Sequence, residues 1–242
     1  MHIPGLGWVI LITIIAGVVY GFAGFGAALV FMPVATAFLS VETAVAAFAV
    51  SALASLVTLV PRAWGEVDRK GVSLMILVAS ATLPLGLYVL RTNDVTTMRW
   101  AVLGVTTITL IALMSGWRYT ARPSMGMRGV VAAATGLVGG ATGLVGPVMI
   151  LFQLSGQDSV TRSRANTLVL LTMTSLITVP MMIAQGMLTP EVVVLGLFLI
   201  LPYGVGTRLG RAFFDPSKQG VYRYVAYGII FFSILLGLPI YH

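Results

Sequence analysis

The groups that this sequence concentrates are backbone amides. The runs "GFAGFG" (21–26) and "GGATGLVG" (139–146) interrupt strongly apolar segments. Glycine inside a helix costs about 1 kcal/mol relative to alanine. In return it permits a tight turn and lets a ligand approach the main chain closely. The second run ends in Gly146-Pro147, and proline suits the first turn of a helix, where its missing N–H costs nothing. A helix starting there points unpaired N–H groups and a positive dipole end at the turn, which suits an anion. The expected main-chain donors lie near Phe25, Gly26, Gly143, Leu144 and Val148, with Gly24 and Gly146 lining the same turns. Arg164 pairs well with oxyanions, and Asn166 and Thr167 add side-chain donors just beyond it. Arg162, Gln153 and Gln185 are further candidate donors, and Phe25 a candidate gate.

Each of these residues has a plainer reading. Gly17/Gly21 and Gly136/Gly140 are GxxxG pairs, which let membrane helices pack closely. Asn166 or Thr167 suits a helix cap. Arg164 suits a charged loop or a lipid headgroup contact. Ser51, Ser55 and Thr58 form a polar stripe at helical spacing, and such stripes often bond only between helices.

Other chemistry is poorly provided for. With no cysteine and with His2 and His242 at the chain ends, thiolate chemistry, disulfides and a histidine-centred metal site have no residues to use. Asp68, Asp94, Asp158 and Asp215 fall in loops, and Glu42 and Glu191 at the edges of apolar segments. No carboxylate stands where a buried proton relay is usually found. No catalytic residue, metal site or cofactor is therefore expected, and the chain does not read as an enzyme. The glycines lack the βαβ setting of a dinucleotide site.

The elements that must position these groups are helices in a membrane. Of 242 residues 58% are hydrophobic and 9% charged, against about 25% charged in a soluble domain. Apolar segments run near 6–21, 27–39, 43–60, 72–90, 99–117, 129–143, 147–155, 165–184, 190–207 and 222–240. A span needs about 20 apolar residues. Pro84, Pro180 and Pro202 fall within or near spans, where they kink helices. Trp8, Trp64, Trp100 and Trp117 lie near span ends, as an aromatic belt requires. The net charge of +7 reads as loop charge that sets orientation rather than as a nucleic-acid footprint. The N-terminus lacks a basic n-region and a cleavage site, so no removable signal is expected.

The chain aligns with itself at an offset of about 119 residues: Gly17, Gly21 and Gly24 match Gly136, Gly140 and Gly143, and Val60-Pro61 matches Val179-Pro180. If 3–39 and 129–155 each fold back to the side they entered from, loops 61–71, 118–128, 154–164 and 207–223 share one side and hold 12 of the 14 Lys and Arg. Such an excess marks the cytoplasmic side. The expected fold is an all-α polytopic membrane protein of two inverted repeats, with about 8–10 membrane segments. The first repeat (1–117) has a Gly-rich re-entrant hairpin at 3–39 and spans 43–60, 72–90 and 99–117. A cytoplasmic linker follows at 118–128. The second repeat (129–242) has a hairpin at 129–155 and spans 165–184, 190–207 and 222–240. Both termini are expected outside the cytoplasm. Inverted repeats with a midplane site at broken helices are a recurrent transporter plan.

"GFAGFGAALVFMP" and "GGATGLVGP", followed by "RANT" (164–167), resemble the sulfite exporter TauE/SafE family of bacterial membrane permeases. The resemblance covers both halves, the second more closely; Ala27 and Ala28 stand where family members often continue with glycine. It implies export of a small sulfur oxyanion, sulfite or an organosulfonate, across the bacterial inner membrane, with no organic cofactor. The residues read above as the expected substrate site are Gly24, Phe25, Gly26, Gly143, Leu144, Gly146, Pro147, Arg164, Asn166 and Thr167. The expected partners are the anion and the lipid bilayer, with a homodimer permitted by the GxxxG faces and no nucleic acid. An anion channel, or an importer of another small anion, is the alternative, and a structural subunit stands further off.

Overall fold

The computed structural model describes residues 5–116, 124–155, 159–215 and 219–239. Arg118, Arg122, Lys218, Asp158, Trp117, the two histidines and the Gln153 side chain, all considered above, lie outside what it describes. The described residues are helical, without strands. In chain order the helices are α1 (Leu6–Ala23), α2 (Ala27–Phe38), α3 (Val41–Ala52), α4 (Ser55–Thr58), α5 (Val60–Ala63), α6 (Arg69–Thr92), α7 (Val95–Met114), α8 (Met125–Thr142), α9 (Gly146–Ser155), α10 (Val160–Ala184), α11 (Pro190–Ala212) and α12 (Gln219–Gly237).

Among the described residues, seven helical segments are long and apolar enough to cross a membrane, namely Leu6–Ala23, Val41–Thr58, Arg69–Thr92, Val95–Met114, Thr161–Ala184, Pro190–Ala212 and Gly220–Gly237. Their outer faces carry large apolar side chains with no protein cover, Leu77, Ile108, Val194, Leu201 and Phe232 among them. In water such a surface would aggregate; against lipid it is at home.

Helix starts follow local chemistry. Side-chain oxygens of Ser40, Asp68, Asp94, Ser124, Ser159 and Thr189 accept from the third residue of α3, α6, α7, α8, α10 and α11. Such caps satisfy one of the orphan N–H groups at a helix start. Helix α2 has no side-chain cap; it begins after Gly26, at φ 89°. The residues before α9, Leu144 and Val145, carry no side-chain oxygen.

The two glycine runs end one helix and begin the next. Gly24 (φ 79°) closes α1, its N–H donating to Tyr20 O, and Gly143 (φ 72°) closes α8 by donating to Gly139 O at 2.8 Å. Only glycine takes this left-handed conformation without strain.

The GxxxG pairs pack helices. A Cβ on Gly17 would stand 2.6 Å from Tyr203 O, and one on Gly21 2.5 Å from Thr207 O, so α1 lies main chain to main chain on α11, where Gly206 and Gly210 face it. Gly136 and Gly140 hold α8 in the same way against Ala79, Leu83 and Gly86 of α6. These packing pairs trade places: α1 on α11 with α8 on α6, α3 on α11 with α10 on α6, and α2 on α12 with α9 on α7.

Segment 41–63 is interrupted. Leu53 and Ala54 donate to carbonyls three residues back, Val50 O and Ser51 O, and Leu56 donates to Leu53 O. This tighter winding separates α3 from α4, and such a stretch inside a span often marks a functional site.

Candidate functional site

Two helix starts without a side-chain cap, those of α2 and α9, line one cavity. It is bounded by Gly26, Ala27, Ala28 and Leu29 at the start of α2 and by Gly143, Val145, Gly146 and Pro147 at the start of α9. Its remaining wall comes from Tyr20, from the stretch Val45–Ser55 of α3 and α4, from Leu171–Thr178 of α10, and from Tyr203 of α11. The cavity volume is about 40 Å³, room for about three waters at ~10–15 Å³ each.

The first main-chain bond of α2 runs from Val30 N to Gly26 O at 3.0 Å. The N–H groups of Ala27, Ala28 and Leu29 therefore have no partner within their helix, and these residues line the cavity. At α9 the proline at position 147 withdraws one N–H, leaving those of the neighbouring residues. Each helix start adds the equivalent of roughly half a positive charge.

Hydroxyls line the rest of the wall. Tyr20 Oη donates to Leu168 O at 3.2 Å and lies 3.4 Å from Thr172 Oγ1. This ties α1 to α10 across 148 residues of chain. Tyr203 is held by aromatic neighbours, with its ring edge-on to Phe48 (5.9 Å between centroids) and tilted against Tyr20 (6.4 Å). Ser55 is fully buried, and its Oγ has no hydrogen-bond partner. The Tyr203 hydroxyl is near it but outside hydrogen-bond geometry.

Four of the ten residues singled out in the sequence meet at this cavity, Gly26, Gly143, Gly146 and Pro147. The other six do not line it. Gly24 caps α1 and abuts the Arg164 side chain. Phe25 and Leu144 are buried core residues, and Leu144 N donates to Thr142 Oγ1 at 3.3 Å. Arg164 Nη2 donates to Gly21 O at 2.5 Å, and its guanidinium lies 4.0 Å from the Phe214 ring centre. Asn166 Oδ1 accepts from Asp68 N at 2.9 Å, and Thr167 Oγ1 donates to Ser163 O. Gln185 Nε2 donates to Pro84 O and links α10 to α6. Of the polar stripe, Ser51 and Thr58 bond to main-chain carbonyls in their own segment.

Tyr20, Tyr203, Thr172, Ser175 and Thr178 escaped the sequence reading. Tyr20 adjoins the first glycine run but reads as one more aromatic of an apolar segment, and the others stand far from both runs or inside apolar stretches. The polar residues of α10 at 172, 175 and 178 recur at helical spacing, the one signal that points to a shared face.

The family model for the sulfite exporter TauE/SafE matches residues 9–236, nearly the whole chain. The chain belongs to that family. It is thus a multi-pass membrane permease of the sulfite exporter type, in line with its seven apolar helices. No curated protein and no solved structure was found to match it. The two glycine runs of this TauE/SafE chain both lie inside the matched region.

Proposed function

We propose that this permease exports a small sulfur oxyanion, sulfite or an organosulfonate, and binds it in the cavity between the starts of α2 and α9. The observation that carries the reading is the convergence of two uncapped helix starts on one cavity. Unpaired N–H groups and two positive dipole ends are what an oxyanion needs where water is scarce. A space of about three waters matches the three oxygens of a sulfonate or sulfite head.

The working arrangement is two inverted repeats, 1–117 and 129–242, joined by a cytoplasmic linker. Each begins with a re-entrant hairpin, α1–α2 or α8–α9, and both termini face away from the cytoplasm of a bacterial inner membrane. The paired packing of α1 on α11 and α8 on α6 supports the repeat. The ion pair of Asp68 with Arg128 (2.6 Å) and the bond from Asp68 N to Asn166 Oδ1 support the orientation. They hold the N-terminal turns of α6, α8 and α10 together, in line with the count of basic residues. An inside-negative membrane then drives anion exit, by about 2.3 kcal/mol per charge per 100 mV.

The test is thermal unfolding of the purified protein with methanesulfonate, sulfite, sulfate, thiosulfate and acetate. Stabilisation by sulfur oxyanions but not by acetate, reduced in Gly146→Val, is the expected result. A ligand at 100 times its dissociation constant should add about 2.7 kcal/mol. No stabilisation by any sulfur oxyanion overturns the proposal.

A further inference from the structure

The cavity wall has a charge balance of its own. Among the described residues that line it, none is Lys, Arg, His, Asp or Glu. Arg164 and Arg211 lie outside this lining and turn donors to main-chain carbonyls, Arg164 to Gly21 O and Arg211 to Thr58 O. The positive ends aimed into the cavity itself are the starts of α2 and α9, at roughly half an elementary charge each. Together they balance one negative charge. A second would be left in an apolar enclosure without a counter-charge, where burial is most costly.

A second observation points the same way. A serine in a helix usually turns its hydroxyl onto a carbonyl three or four residues back. Ser51 does so with Phe48 O, and Thr58 with Ala54 O. Ser55 sits at the break between α3 and α4 and makes no such bond. Its Oγ is left buried without a partner, on the cavity wall. Leaving a buried hydroxyl unpaired costs stability. Tyr20 and Thr172, which face the same space, lie within hydrogen-bond distance of each other. Ser55 has a proton to donate and a cavity to donate it into.

We propose that the cavity selects anions carrying a single charge, a sulfonate or hydrogen sulfite rather than sulfite or sulfate dianions, and that Ser55 Oγ is the side-chain donor to the bound head group. This rests on the anion reading of the cavity given above.

The experiment measures dissociation constants of methanesulfonate and sulfate at one pH and ionic strength, for the wild type, Ser55→Ala and Ser51→Ala. The wild type is expected to bind methanesulfonate at least tenfold more tightly than sulfate. Ser55→Ala is expected to weaken methanesulfonate about tenfold without lowering the melting temperature of the unliganded protein. Ser51→Ala is expected to leave the affinity unchanged. For sulfite the affinity should rise as pH falls through the ligand's own second ionisation, while that for methanesulfonate stays level. Sulfate binding as tightly as methanesulfonate in the wild type overturns the single-charge selection and leaves the oxyanion site standing. Methanesulfonate binding unaltered in Ser55→Ala overturns the role of Ser55. Binding of neither anion removes the site and this inference with it.

Discussion

Arg164 Nη2 lies 2.5 Å from the carbonyl oxygen of Gly21, 143 residues earlier in the chain. The guanidinium meets the last turn of α1, where unpaired carbonyls gather and a cation is favoured. The counterpart of Arg164 at an offset of 119 is Val45, and a Cβ on Gly143 would meet Val45 as one on Gly24 would meet Arg164. One place in the fold thus holds a cation in the second half and a valine in the first.

Removing that cation should loosen the join of α10 to α1. A hydrogen bond to a charged group contributes about 1.5–3 kcal/mol. Arg164→Ala is expected to lower the melting temperature in detergent by about 3–10 °C, at about 2–4 °C per kcal/mol for a chain of this size. Arg164→Lys keeps one donor but loses the flat stack on Phe214, and should fall between the two. The affinity for methanesulfonate should be nearly unchanged in both, since Arg164 does not line the cavity.

The two classes of glycine should separate cleanly. A Cβ on Gly17 would press on a carbonyl of α11, so Gly17→Leu should prevent recovery of folded protein or lower its melting temperature by more than about 5 °C. A Cβ on Gly146 would meet only the end of the Ile150 side chain, at 3.1 Å. Gly146→Ala should keep or slightly raise stability, because alanine restricts the unfolded chain, while reducing stabilisation by the ligand. Melting curves with and without methanesulfonate measure both.

Asn166 is expected to act through the fold. Its Oδ1 holds Asp68 N at the start of α6, so Asn166→Ala should cost about 1 kcal/mol. The dissociation constant for methanesulfonate should stay within twofold of the wild type, whereas a direct contact would weaken it tenfold or more.

Asp68 predicts a pH dependence. The Arg128 guanidinium holds its carboxyl below the usual carboxylate range; burial opposes it, and the Gly71 N–H and the charge of Arg162 add to the lowering. A carboxyl whose folded pKa is depressed contributes stability that is fully present above its unfolded value, about 3.9, and lost as pH falls through the folded value. The pair is partly exposed, at 20% and 33% for the two side chains, so its worth is about 1 kcal/mol or less. Asp68→Asn should therefore lower the melting temperature at neutral pH by a few degrees at most. The gap to the wild type should close below about pH 4, and added salt should narrow it.

Several features of this protein were legible in the chain alone because their causes are local or compositional. Apolar length marks a membrane segment without reference to its neighbours. Ser, Thr and Asp placed before apolar runs announce helix starts, as Ser40, Asp94 and Thr189 do. Gly24, Gly26 and Gly143 mark the breaks because the left-handed backbone they adopt, φ 72° to 89°, is costly for any other residue.

Which groups face the cavity was decided by the tertiary structure. Arg164, Asn166 and Thr167 stand close in sequence to a glycine run, yet helix rotation sends them to Gly21, Asp68 and Ser163. Tyr203 stands about 180 residues from the first run, yet reaches the cavity because Gly17 and Gly21 let α11 lie against α1. Ser55 reads in the chain as one hydroxyl of a stripe; only the tertiary structure leaves its Oγ buried without a partner on the cavity wall. Local propensity sets where a helix begins and ends. Its rotation about its own axis, and so the side chains it offers to a ligand, is set by the long-range packing of one main chain against another.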